Sequence, residues 1–96
     1  VDLVITGEGN MDEQSAAGKA PVGVARRAKR CGKPVVAVVG GRADNLDAVY
    51  EQGIDLVLPI CRKPMDLEQA LDPQEATTNL ICAGEAAAQS YDLARL

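Results

Sequence analysis

Apolar residues fall along this chain in three short continuous runs, separated by stretches where they recur every three or four positions. Residues 1–6 form a run rich in β-branched side chains, bounded by Gly7. Residues 35–39 read VVAVV, and residues 54–60 read IDLVLPI, interrupted near the end by Pro59. Continuous rather than alternating runs mark strands covered on both faces, the habit of a parallel sheet.

The intervening stretches predict helices. Pro21 suits a first helical position, and Val24, Ala28 and Cys31 follow at helical spacing, with Gly32 as the stop. Asp44 or Asn45 can cap a second helix carrying Leu46, Val49 and Tyr50, closed by Gly53. Asp66 with Gln69 forms a capping-box pattern for a short helix ending at Leu71. Asp72, Pro73 and Glu75 then open a long last helix with a narrow stripe of Ala76, Leu80, Ala83, Ala87, Tyr91 and Ala94. The predicted order is β-α-β-α-β-α-α, an α/β segment of Rossmann-like type with a parallel sheet and right-handed crossovers. Residues 1–96 read as one such segment. These helices cannot cover three strands well on both faces, and the chain opens on VDLVIT without an initiating Met. Both features predict a piece of something longer.

Composition narrows the chemistry. The apolar fraction is 47 %, but there is no Phe or Trp, so Val, Leu, Ile and Ala must fill the interior. A net charge of −4 argues against a nucleic-acid or anionic-membrane partner. No apolar run approaches the roughly 18 residues of a membrane span. Cys31, Cys61 and Cys82 lack CxxC spacing, and the chain has no His; reduced thiols and a cytoplasmic location are the expectation. Without His, proton transfer must use Asp, Glu or Lys.

The decisive stretch is ITGEGNMDEQSAAGKAP, residues 5–21. It implies a connection of about fourteen residues from strand to helix, where α/β units commonly use about 2–6. Ligands of open parallel sheets bind beyond the carboxyl ends of the strands. This stretch belongs there, and so does GGRADN, residues 40–45. Neither standard nucleotide loop fits. Gly7 and Gly9 begin a G-x-G-x-x-G pattern, but Asp12 stands at its third glycine. Gly18-Lys19 resembles the end of a Walker A loop, but Glu13 and Ala20 break that motif. Glu8, Asp12 and Glu13 instead make the stretch acidic, which suits Mg²⁺ or a substrate hydroxyl. Lys19 at a helix start opposes the macrodipole unless an anion binds there. Gly7, Gly9 and Gly18 permit close backbone approach, and Gln14 and Ser15 offer neutral hydrogen bonds.

These residues carry a family resemblance. DLVITGEGNMDEQSAAGKAPVGVARRAK, KPVVAVVGG and VYEQGIDLVLPI closely resemble the C-terminal part of bacterial type I glycerate kinases. The pattern TGEG-x-x-D-x-Q-[ST]-x-x-G-K-x-P-x-G-V-A matches over residues 6–25. The resemblance implies two α/β domains around a cleft, with this segment completing the Rossmann-like one. It implies transfer of phosphate from ATP with Mg²⁺ to D-glycerate, with the remainder of the same chain as a further partner; a homo-oligomer is a partner that the sequence leaves open.

Carried over by position, Asp12 is the base or Mg²⁺ contact for the attacking hydroxyl, with Glu8 as its alternate. Lys19 holds a carboxylate or phosphate, and Gln14 and Ser15 orient hydroxyls beside Gly7, Gly9 and Gly18. The chain departs from the family at Asn10 and Met11, where a basic residue and Ile are common, and in GGRADN, where Arg42 is a candidate on its own chemistry only. The alternative reading is a non-catalytic α/β small-molecule-binding or interaction module with a solvated loop. A flavodoxin-like receiver fits less well, since VVAVVGG ends without the required Asp.

Overall fold

A computed structural model describes residues 2–18, 20–61 and 66–94. Strand β1 spans Val4–Met11, followed by a 3-10 helix, Glu13–Ala17, and helix α1, Ala20–Arg30. Next come β2 (Val35–Arg42), α2 (Asp47–Glu51), β3 (Leu56–Pro59), α3 (Leu67–Leu71) and α4 (Pro73–Ala94). The strands are parallel in the order β1-β2-β3, with Val4 opposite Val35 and Val36 opposite Leu56. The α/β reading is borne out.

The central strand explains its own sequence. Val35, Ala37 and Val39 point to one face, where Ala25 and Ala28 of α1 join Leu46, Val49, Ile54 and Val57 in the main core. Strand alternation turns Val36 to the other face, where it is also buried, and α4 packs there against β2 and β3. A strand covered on both sides has no reason to alternate.

Both β1 and β2 run past their apolar residues. The ladder continues through Glu8–Val39, Asn10–Gly41 and Met11–Arg42, so Gly7 lies within a strand and Gly40-Gly41 is no turn. Hydrogen bonding along a ladder needs backbone groups rather than apolar side chains, and hydropathy is blind to it. At Gly40 the absence of a side chain is obligatory: a Cβ there would stand 2.6 Å from the carbonyl oxygen of Gly9. At the far edge, Ile60 N–H donates to the Val39 carbonyl at 2.9 Å, and Pro59 ends β3.

The helices are where the pattern placed them, except that α2 begins only at Asp47, with Leu46 at its N-cap making no side-chain capping bond, and α1 turns a different face inward. Helix α1 buries Pro21, Val22, Ala25 and Ala28, while Val24 is part-exposed and Cys31 lies past the helix end. Its small residues bring the helix close to the sheet. Asn45 supplies the side-chain acceptor at the start of α2, taking Asp47 N–H at 3.0 Å, and Gly53 follows the helix at positive φ. Asp66 and Gln69 form the expected reciprocal capping box of α3, and Asp72 accepts Glu75 N–H at the start of α4. Helix α4 keeps the middle of its expected stripe: Ala83 and Ala87 are buried and Ala76 and Tyr91 half-buried, but Leu80 is 54 % exposed and Asn79 is buried instead.

The amino edge is tied by polar contacts. Asp55 accepts Val35 N–H at 2.7 Å and also pairs with the Lys29 ammonium, while Arg26 Nε reaches Gln52 Oε1 at 2.9 Å. Exposed ion pairs of this kind contribute at most about 1 kcal/mol.

Replacing Gly40 with Ala forces a methyl group against backbone that cannot swing aside. Urea unfolding of the full-length protein should show a loss of about 1–3 kcal/mol. Gly9→Ala, whose Cβ meets nothing within 4 Å, should stay within about 0.5 kcal/mol of the parent.

Candidate functional site

Because β1 continues to Met11, the residue that leaves the sheet at its carboxyl edge is Asp12. Its backbone is extended, at φ −140° and ψ −173°, and it caps the 3-10 helix. Oδ1 accepts the Gln14 N–H at 2.9 Å, and Asp12 N–H donates to Ser15 Oγ at 3.0 Å. This is a reciprocal capping box with Ser in the usual Glu or Gln position. The Asn10 amide reaches Asp12 Oδ2 at 3.5 Å, the long limit of a hydrogen bond. Gly18 ends the turn in the left-handed region, at φ 115°, where an L side chain would be strained.

Opposite this turn, Ala43 N–H donates to the Met11 carbonyl at 2.9 Å and fixes the start of the β2–α2 connection. Met11 itself is wholly buried. Between the two connections lies an open hollow of about 310 Å³ lined by Asp12, Glu13, Gln14 and Ala43. Most of the expected fourteen-residue loop is therefore further strand, from Gly7 to Met11, followed by one capped 3-10 helix.

The predicted residues separate into groups. Asp12 and Gln14 line the hollow. Ser15 is fully buried, with its hydroxyl oxygen engaged by Asp12 N–H. Gly7, Glu8 and Gly9 lie in β1, where Glu8 is half-buried and its Oε1 accepts Gly9 N–H at 3.1 Å. Lys19 falls outside the described residues. Glu13, counted in the sequence among the acids of this stretch but given no role of its own, also lines the hollow, and Ala43 was not singled out. Ala43 is visible in the sequence only as part of the second carboxyl-edge segment, GGRADN.

Among the described residues, no group of three or more His, Cys, Asp or Glu is gathered so as to hold a metal unaided. The carboxylates of Asp12 and Glu13 on one open hollow fit the other mode of Mg²⁺ binding. In that mode one or two carboxylates share the ion with substrate phosphates and water.

Ser15→Ala should cost about 1 kcal/mol in urea unfolding of the full-length protein, because it removes the acceptor of a part-buried N–H. Asp12→Ala should cost a similar amount, and Asp12→Asn only a few tenths, since Asn caps about as well as Asp.

Comparison with known proteins gives the chain a family. The sequence model described as the glycerate kinase family matches residues 1–92. A glycerate kinase of Bacillus cereus is 49 % identical over 86 residues, covering 90 % of this chain and 23 % of that protein. A glycerate kinase of Haemophilus influenzae is 45 % identical over 84 residues, covering 88 % and 22 %. The glycerate 2-kinase of Escherichia coli is 44 % identical over 68 residues, covering 71 % and 18 %. The chain thus spans about a fifth of the length of the curated relatives it matches. With the family pattern extending across nearly every element described above, the chain belongs to the glycerate kinase family.

Proposed function

We propose that residues 1–96 are the closing segment of the Rossmann-like domain of a longer kinase. This enzyme transfers the γ-phosphate of ATP to a hydroxyl of D-glycerate, giving phosphoglycerate and ADP. One observation carries the reading: Asp12, held by the Gln14 N–H, faces an open hollow at the carboxyl edge of the sheet in a chain of this family. The name of the Escherichia coli relative makes the 2-hydroxyl the acceptor to test first.

Phosphoryl transfer needs mainly positioning and charge neutralisation. The substrate hydroxyl oxygen attacks the γ-phosphorus while the bond to the bridging oxygen of ADP breaks. The hydroxyl proton passes to the Asp12 carboxylate, whose Oδ1 is already oriented by a backbone donor. Gln14 lines the same wall and orients the hydroxyl; Ser15 acts through Asp12, by holding its N–H. Glu8 is the alternate acid, and Lys19 holds the carboxylate or a phosphate. Gly7, Gly9 and Gly18 keep the surrounding backbone free of side chains. Mg²⁺, bound with the nucleotide, supplies neutralisation of phosphate charge, and Asp12 with Glu13 would share it.

The opposite wall of the cleft comes from the rest of the chain, so the segment alone is inactive. Free, exposed thiols at Cys31 and Cys61 support a cytoplasmic setting. Among the described residues no helix is long and apolar enough to cross a membrane.

Asp12→Asn keeps the cap and removes the charge, which separates folding from chemistry. Coupled-assay ADP release by the full-length protein should depend on glycerate and fall about 10²–10⁴-fold in the variant. An unchanged rate would refute the role given to Asp12.

A further inference from the structure

The cations of this chain are segregated. Among the described residues, Arg26, Arg27, Lys29, Arg30 and Lys33 lie at the end of α1 and in the turn into β2, at the amino edge of the sheet. Arg42 stands apart from them as the last residue of β2, at the carboxyl edge. Its ladder partner is Met11, whose successor is Asp12, and its own successor is Ala43. Arg42 is therefore next to the hollow along both strands, one residue before Ala43 and paired with the residue before Asp12, although its own side chain is not part of the lining.

The geometry points to Arg42 as an anion-binding residue of this site, holding a phosphate of the nucleotide or the carboxylate of the acceptor. The guanidinium is fixed by neutral acceptors. Nε donates to the Ala43 carbonyl at 3.0 Å, one terminal nitrogen donates to the Asp44 carbonyl at 3.1 Å, and the other lies 3.5 Å from the Tyr50 hydroxyl. Carbonyl and phenol oxygens orient the group without cancelling its charge. No carboxylate among the described residues comes within ion-pair distance of it. Three of its five N–H groups are engaged, which leaves donors for an incoming ligand.

The electrostatic need is local. Asp12 and Glu13 make the hollow negative, and both substrates of the proposed reaction are anions. An anion entering beside two carboxylates requires a compensating charge, and a guanidinium already held in place loses little side-chain freedom on binding it. The assignment rests on the kinase reading for the identity of the anion but not for the existence of the site.

Binding to the full-length protein tests it. Calorimetric titrations with Mg-ATP and, separately, with D-glycerate would compare the parent with Arg42→Met and Arg42→Lys. Arg42→Met should raise one of the two dissociation constants by roughly tenfold or more, as expected for loss of a charge-assisted contact. A loss confined to ATP names a phosphate, and one confined to glycerate names the carboxylate. Arg42→Lys should recover part of the loss, because it keeps the charge. If the arginine only clamped the turn, Lys would fare no better than Met, since one ammonium cannot span both carbonyls in the same way. Equal affinities in Arg42→Met and parent, equal losses in Lys and Met, or a parent that binds neither ligand would each overturn the assignment. Turnover by the parent reports separately on the kinase reading.

Discussion

The backbones of Gly9 and Gly40 approach so closely that a single methyl group on Gly40 would overlap a carbonyl oxygen. That contact lets two parallel strands stay together beyond their last valines. Without it, Asp12 and Ala43 would leave the sheet at unrelated heights. With it, the ladder delivers Met11 and Arg42 as a pair, and the two connections that follow diverge from adjacent points to frame a hollow. The glycines of TGEG and VVGG thus serve the strands first. Their part in ligand approach follows from where those strands end.

Asp12 has two tasks in one side chain. Its carboxylate caps the start of the 3-10 helix and lines the hollow, and the Ser15 hydroxyl oxygen holds the same residue by accepting the Asp12 N–H. Positioning of a reacting group by its own helix cap needs no distant partner, so the local sequence D-E-Q-S suffices to set its direction. The remaining polar contacts follow the same division by location. Ties at the amino edge, such as Lys29 with Asp55, join elements to one another. Those at the carboxyl edge hold side chains beside open space.

Much of the fold was legible because it is written in local codes. VVAVV could only be a covered strand, and Asp66 with Gln69 could only cap a helix start. What hydropathy could not show was strand pairing through glycine and polar residues, since a ladder depends on the neighbour's backbone. It also misjudged helix faces. Asn79 occupies a buried place on α4 while Leu80 does not, since which flank of the Ala83 and Ala87 stripe is covered depends on what packs there and not on hydropathy. The acids of the site were readable as types at a recognisable spacing. That Ser15 is internal and that Ala43 forms the facing wall depends on the folded path of both connections, which no single segment encodes.

Pro59 gives the sheet a preferred direction of growth. Ile60 turns its N–H inward to Val39, so the nitrogen before it points outward, and at Pro59 that position carries no hydrogen. A newcomer strand laid along the outside of β3 would find one rung missing where the strand is already short. The outer margin of β1, eight residues long and free of proline, offers every rung. Extension of the pleated layer by further chain is accordingly favoured beside β1, on the flank nearest the acids.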